Sequence, residues 1–401
     1  MHVCMIAYTF YEGDNRVMRY AEALAARGDH VDVISAAKQS QSRVEDVNGV
    51  HVFRIQTRKK NEKHPLTHLL RLLMFLGRAT IVVAAKHVRH RYNVLHVHTV
   101  PDFLVFAALL PRLAGASVIL DIHDLLPELY ATKFKATPSS RICRALQIIE
   151  LVSAACAHHV IAPNHIWRER LVERSVEASK CSVFMNCPDP SVFSRRGRSR
   201  VDHKAILMYP GSLNRHQGLD LAIRAFAMNA DIFPCSEFHI YGEGPEKENL
   251  IELTEELGLK TRILFYAPIT LREISIISEN SDLGIIPKRN DGFGDEAFST
   301  KSLEFMMLAV PIIIADTKID RFYFNTDVVT FFRSGDIADL ARCMRRLMNS
   351  NILRTEQAAR ALDFVKNYQW DTQKYDYLAL IDRFAARGRK AAGVPADETH
   401  F

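Results

Sequence analysis

Two glutamates eight positions apart, Glu296 and Glu304, frame the stretch EAFSTKSLEFMMLAVPIIIAD, and the residues between them suit phosphate binding. Ser299 or Thr300 can cap a helix there, with Lys301 in its first turn. Free backbone N–H groups at such an end, the helix dipole and one ammonium together attract an anion. Glu296 before the helix and Glu304 within it add an acceptor on either side, fitted to sugar and ribose hydroxyls. A nucleoside diphosphate sugar carries those groups in that order. The same letters also fit a plain capped helix with two solvated glutamates.

Other residues of chemical interest lie where strands end. SVILDIHDLLPE puts His123 and Asp124 at the carboxyl end of a strand, the edge where open α/β sheets bind ligands. A core histidine or a structural His–Asp hydrogen bond reads equally well. Between the first strand and helix, Glu12-Gly13-Asp14-Asn15-Arg16 offers a glycine for close approach, and Asp14 or Asn15 as a helix cap. Gly242-Glu243-Gly244-Pro245 follows the strand FHIY but fails as a dinucleotide fingerprint, because Lys247 stands at the third glycine position. The histidine pairs His87/His90, His96/His98 and His158/His159 lack the cysteine or carboxylate spacing of known sites, so no metal is expected. Serine-hydrolase and P-loop signatures are absent.

The elements that must hold these residues alternate in type. An apolar run to Ala7, the loop TFYEGDN, a helix over Val17 to Arg27 stopped by Gly28, and VDVIS read as a βαβ unit. VHVFRI, VLHVHT, SVILDI and HHVIAP continue the pattern, which predicts a parallel sheet covered on both faces. The alternation restarts at AILMYPGS and runs through FHIY, RILFYA, DLGIIP, PIIIAD and VVTFF. Between the two series, SRRGRSRVDHK is basic and aperiodic. The expected organisation is a first domain over 1–193, a linker at 194–204, a second domain over 205–366, a helix over 367–386 and a tail at 387–401. A chain of 401 residues with 48% hydrophobic and 24% charged residues is large enough for two ordinary soluble cores.

At this point the chain resembles the retaining, two-domain glycosyltransferases of the GT-B fold, family 4. Their signature is glutamate, seven residues, glutamate, usually with Gly-Phe-Gly after the first acid and Met-Ala-x-Gly-x-Pro after the second. Here the matching text is Glu296-Ala297-Phe298-Ser299 and Met306-Met307-Leu308-Ala309-Val310-Pro311. Asp291-Gly292-Phe293-Gly294 just upstream looks closer, but Ser299 follows Asp291 at the glutamate spacing, so the register through Glu296 and Glu304 is preferred. Tyr209-Pro210-Gly211-Ser212 and Gln217-Gly218-Leu219-Asp220 resemble the loop that opens the family's second domain. The family's diphosphate-binding Arg and Lys are replaced here by Ser212 and Gln217, leaving Arg215, otherwise a solvated loop residue, as the substitute beside Lys301.

The resemblance implies an α/β GT-B fold, two Rossmann-like domains facing each other across a cleft, with the C-terminal helix crossing back to the first domain. It implies a retaining, metal-independent hexosyltransferase with a nucleoside diphosphate sugar as donor substrate and no other cofactor. Glu296, His123, Lys301 and Arg215 are then the catalytic set. Glu304, Ser212, Gly211, Gly242, Phe298, Ser299 and Thr300 bind donor, while Gly13, Asp14, Arg16 and Asp124 form the acceptor or phosphate loop. A nucleotide-sugar epimerase and a non-catalytic nucleotide-sugar-binding subunit are the rival readings.

Charge adds a candidate partner surface. Residues 1–200 hold 28 Lys and Arg against 17 Asp and Glu, a net of +11, leaving −5 for the remainder of a chain whose total is +6. Between Arg54 and Arg91 stand ten Lys or Arg against one acid, Glu62, around the apolar run LLRLLMFLGRATIVVAA. Such a segment suits an anionic membrane surface, or it forms ordinary buried helices with charged outer faces. Arg71 and Arg78 interrupt the run, so it is not expected to span a membrane. Nucleic acid is not expected, for want of interleaved aromatic residues. Seven cysteines without a C-x-x-C pair and an N-terminus without a signal-peptide pattern point to a cytoplasmic protein, peripheral on the inner face of the membrane. The resemblance to that family implies a lipid-linked or saccharide acceptor in polysaccharide or glycolipid synthesis.

Overall fold

Asp14 accepts the Val17 N–H at 3.2 Å and so starts the first helix, and Gly28, at φ +95°, ends it. A computed structural model describes residues 1–58, 65–134, 136–137, 139–202 and 204–391. The chain forms two compact units, Met1–Asn186 with Lys374–Phe401, and Cys187–Gln373.

In unit 1 the elements run β1 (His2–Phe10), α1 (Asn15–Ala26), β2 (His30–Ala37), β3 (Val44–Val47), β4 (Val50–Thr57), α2 (Pro65–His90) and β5 (Val94–His98). They continue with α3 (Leu109–Leu113), β6 (Ser117–Asp121), α4 (Leu126–Phe134), α5 (Arg141–Ala155), β7 (His159–Ala162), α6 (His165–Arg174) and β8 (Cys181–Val183). The sheet order is β3-β4-β2-β1-β5-β6-β7-β8. Every pairing is parallel except β3 with β4. That antiparallel edge departs from the all-parallel expectation. Its cause is the Asn48-Gly49 turn, with φ +51° and +80°, which joins two strands as a tight hairpin.

β5 and β6 are buried along their whole length, as a central parallel strand requires. On α2, Leu72, Phe75, Ala79, Val83 and His87 are buried at helical spacing, so this helix is the crossover from β4 to β5. Its composition and length over Thr67–His90 would also permit a membrane span, with 22% of the apolar window buried. The outer face keeps Leu70, Leu73, Met74, Ile81 and Val88 exposed.

Unit 2 repeats the design with β9 (Ala205–Pro210), α7 (Leu219–Ala227), β10 (Ser236–Tyr241), α8 (Lys247–Glu256), β11 (Ile263–Tyr266), α9 (Leu271–Glu279) and β12 (Leu283–Ile286). It goes on with α10 (Phe293–Glu296), α11 (Thr300–Met307), β13 (Ile312–Ala315), α12 (Lys318–Tyr323), β14 (Thr330–Phe332), α13 (Ile337–Met348) and α14 (Asn351–Val365). Its sheet, β11-β10-β9-β12-β13-β14, is parallel throughout. Leu207, Tyr209, Phe226, Phe238 and Ile285 centre the core, and each such side chain contributes about 1.5–3 kcal/mol by leaving water.

Residues 194–202, within the stretch expected as a linker, bond to side chains of unit 2. Glu279 accepts the N–H groups of Arg196 and Gly197, and Asp282 binds Arg198 and Arg200, so the segment packs on unit 2. His203 lies outside the described residues. The last helix, α15 (Trp370–Ala391), begins in unit 2 and continues in unit 1. There Tyr377 stacks on Tyr20 with centroids 4.1 Å apart, and Ser117 donates to the Phe384 carbonyl at 2.7 Å. The tail from 387 enters this helix, and residues 392–401 lie outside the described residues.

Candidate functional site

At the carboxyl edge of unit 2's sheet, glycines let three loops touch. A Cβ on Gly242 would lie 1.8 Å from the Gly211 carbonyl oxygen, and one on Gly244 would lie 2.4 Å from the Leu213 carbonyl oxygen. At Gly211 itself a Cβ would meet Lys301 Cε at 2.2 Å, so the lysine lies directly across this glycine. The Lys301 ammonium is 5.2 Å from the centre of the Tyr209 ring. Burial weakens its hold on the proton, Glu304 opposes that and Lys288 adds to it, and its pKa falls to about 8.

Lys301 is in the first turn of α11, as expected, but the cap differs. Ser299 occupies the N-cap position without bonding a helix N–H. Its carbonyl instead accepts the Ser302 hydroxyl at 2.5 Å, and its own hydroxyl is buried with no partner among the described residues. Thr300 opens the helix, and Glu304 lies half-buried on it. Glu296 ends the one-turn helix α10, is 4% exposed, and meets the Lys318 ammonium at 3.1 Å. Phe298, half-buried, packs on Tyr323 and Phe324, with centroids 5.0 and 5.9 Å away.

Three residues that sequence spacing did not single out hold this acidic loop. Lys288, just beyond β12 and 2% exposed, donates to the Ala297 carbonyl and pairs with buried Asp320, both at 2.8 Å. The Lys318 N–H donates to Asp295 at 2.8 Å, so the start of α12 is stapled to the turn before α11. The one available signal was a lysine just past a strand's carboxyl end, in DLGIIPK.

Arg215 is exposed in a 3₁₀ turn, and its carbonyl accepts from Arg289, whose guanidinium also pairs with Asp220 at 2.5 Å. Its neighbour His216 is half-buried. Burial lowers the His216 pKa, Asp291 opposes that, and Lys301 and Lys288 push it lower still. Ser212 is exposed, and its carbonyl accepts the Tyr209 hydroxyl at 2.8 Å.

In unit 1 the end of β6 gathers another network. Asp121, fully buried, takes Arg16 Nε and Nη2 at 2.8 Å each, and Arg16 Nη1 donates to the Phe184 carbonyl. Arg16 is therefore closed inside the protein, a correction to its expected place in an open acceptor or phosphate loop. His98 Nδ1 is 3.2 Å from Asp121 and also 3.2 Å from His123 Nε2, which is 3.5 Å from Asp121. Burial disfavours protonated His123, but the Asp121 carboxylate outweighs it and raises the histidine above its ordinary value. The partner of His123 is thus Asp121 rather than its neighbour Asp124. Asp124 is half-buried, and burial raises its pKa against the pull of His123. Asp14 caps α1 and adds its charge to the surroundings of His123. Gly13 keeps negative φ, and a Cβ there would meet only Phe10 Cβ at 3.9 Å, so no protein atom demands the glycine.

His96, His98 and Asp121 have ligand-type atoms within 4.8 Å of one another. Arg16 already takes both Asp121 oxygens, and His96 Nδ1 meets the Tyr377 hydroxyl at 3.0 Å, so the trio acts as an ion-pair and hydrogen-bond network.

The sequence profile of the Glycosyl transferase 4-like domain matches residues 13–187, and that of Glycosyl transferases group 1 matches residues 193–363. A D-inositol 3-phosphate glycosyltransferase from Corynebacterium diphtheriae is 22% identical, over 94% of this chain and 92% of its own. Sucrose-phosphate synthase from Thermosynechococcus elongatus superposes with a TM-score of 0.79 at 17% identity, over 96% of this chain and 99% of that one. HepE from Anabaena, in complex with UDP-glucose, superposes with a TM-score of 0.71 at 14% identity, over 96% of this chain and all of its own. Two parallel-sheet Rossmann-like units, these profiles and these superpositions lead to one conclusion: the chain belongs to the group 1 glycosyltransferases of the GT-B fold.

Proposed function

We propose that this protein is a retaining, metal-independent hexosyltransferase whose unit 2 holds a nucleoside diphosphate sugar. The observation that carries the reading is the carboxyl edge of unit 2, where Lys301 crosses Gly211 at the start of α11, two positions after Ser299, whose buried hydroxyl has no partner among the described residues. Helix N–H groups, that hydroxyl and the ammonium stabilise the leaving diphosphate as its charge grows. Glu304 takes the ribose hydroxyls, and Glu296 the donor sugar once Lys318 gives way. No protein nucleophile is assigned. The acceptor hydroxyl attacks the anomeric carbon on the face that the diphosphate leaves, the bond to the phosphate oxygen breaks, and that oxygen takes the acceptor's proton. His123, whose protonated form Asp121 favours, donates to a hydroxyl of the transferred sugar. Arg215 is free to swing toward the diphosphate in place of the family's Arg and Lys. Family membership favours transfer over the epimerase and binding-subunit readings.

The acceptor is lipid-linked or a saccharide, and the protein works in the cytoplasm against an anionic membrane. The support for the membrane face is apolar more than basic. Arg54 is buried against Glu12 and Glu45, Arg58 donates to the Tyr8 carbonyl, and Lys86 pairs with Asp32, so these charges serve the interior. Lys59, Lys60 and Lys63 lie outside the described residues. What α2 presents outward is Leu70, Leu73, Met74, Ile81 and Val88, with Arg78 and Arg89 exposed among them.

A thermal-shift panel of nucleoside diphosphates and their sugars tests the donor assignment. One base should raise the unfolding temperature progressively with concentration; a panel in which no diphosphate shifts it contradicts the reading.

A further inference from the structure

The amino edge of unit 1's sheet, opposite His123 and Asp124, gathers four imidazoles that the proposed transfer does not use. His2 opens β1 and His30 opens β2, paired in the parallel register with ring centres 4.9 Å apart. His51 on β4 places its ring 4.6 Å from that of His30. His90, the last residue of α2, brings a fourth ring to 6.1 Å from both His2 and His30.

Two of the rings stand beside carboxylates, and one of them is hydrogen-bonded to its carboxylate. His30 Nε2 lies 3.4 Å from Asp32 Oδ1, and His51 Nδ1 bonds Asp46. Asp32 is itself fixed, since its other oxygen takes the Tyr92 hydroxyl at 2.5 Å and the Lys86 ammonium at 3.1 Å. A carboxylate on one ring nitrogen sets the tautomer and leaves a lone pair on the other, which is how metal-bound histidines are commonly held. His2 Nδ1 is buried with no hydrogen-bond partner among the described residues.

The ring centres lie near the separation that one ion imposes, and side-chain rotation has to bring the ring nitrogens together around it. Three imidazoles on a tetrahedral ion, with metal–nitrogen bonds of about 2.0–2.1 Å, hold their ring centres about 5 Å apart. The His2–His30 separation already meets this, and exposed His90 at the end of a helix has to approach by about 1 Å.

We propose that His2, His30 and His90, with His51 as a fourth ligand, form a binding site for a borderline transition-metal ion of the Zn²⁺ type. An all-imidazole donor set selects such ions over Mg²⁺ or Ca²⁺. The ion ties the end of α2 to the first two strands, so its effect is on the stability of unit 1 and not on sugar transfer.

Metal-stripped, tag-free protein titrated with Co²⁺ should develop the visible absorption of tetrahedral nitrogen coordination at one equivalent, and Zn²⁺ should displace it and raise the unfolding temperature. His30→Gln and His90→Gln should each weaken Zn²⁺ binding by at least about tenfold, with the thermal shift produced by the diphosphate unchanged. The proposal is overturned by a wild-type protein that shows neither response. It is equally overturned if stoichiometric binding persists in the triple variant His2→Gln, His30→Gln, His90→Gln, or if binding is lost instead in His96→Gln.

Discussion

Lys301 is the residue on which the proposed donor site turns, because it is the cation laid across Gly211 and burial brings its pKa down to about 8. An anionic diphosphate favours its protonated form, so binding should take up a proton above pH 8. Affinity should then fall as pH rises through that value, by up to about tenfold per unit. Calorimetry of UDP binding in buffers of different ionisation enthalpy checks this; Lys301→Met should bind at least about tenfold more weakly and lose the pH step. The spacing of Glu296, Lys301 and Glu304 was legible in the sequence because all three sit within two short helices. Arg16 was not, since its partner Asp121 is 105 positions away and nothing local distinguishes a buried arginine from one facing a ligand. Arg215 and His216 differ by one position in a 3₁₀ turn, and periodicity does not fix which of them faces the lysines.

Among elements, α2 shows how far a charge count departs from a surface. The sequence presents ten cations between Arg54 and Arg91, yet several are drawn inward by carboxylates and carbonyls, and the helix turns an apolar face outward. Replacing Leu70, Leu73 and Met74 together by Ser should reduce cosedimentation with phosphatidylglycerol vesicles by about tenfold or more, while the fold survives because those side chains are exposed. Undiminished cosedimentation would remove α2 from the membrane face. Most of the alternating strands and helices were legible, because each longer element carries its own period, while the short edge strands β3 and β8 were not. The β3–β4 hairpin was signalled by Asn48-Gly49, but the apolar pattern of β3 was too short to be read as a strand. The staple of Lys288, Asp320 and Lys318 on the acidic loop was hidden for the same reason as Arg16: its members come from different elements.

At the scale of the whole molecule, two similar α/β units divide the work of the proposed transfer, donor on unit 2 and acceptor on unit 1. The net charge of +6 says little about either, because in the proposed transfer a few placed groups and not the bulk charge bind the donor. Sugar transfer itself is best probed by release of nucleoside diphosphate from a panel of sugar nucleotides, with and without a membrane lipid extract, for the wild type and Glu296→Gln. The expected outcome is release from at least one donor that depends on the extract, a product keeping the donor's anomeric configuration, and a loss of at least about a hundredfold in the variant. Release from no donor, epimerised sugar nucleotide without acceptor, or an undiminished rate in Glu296→Gln would contradict the proposed transferase.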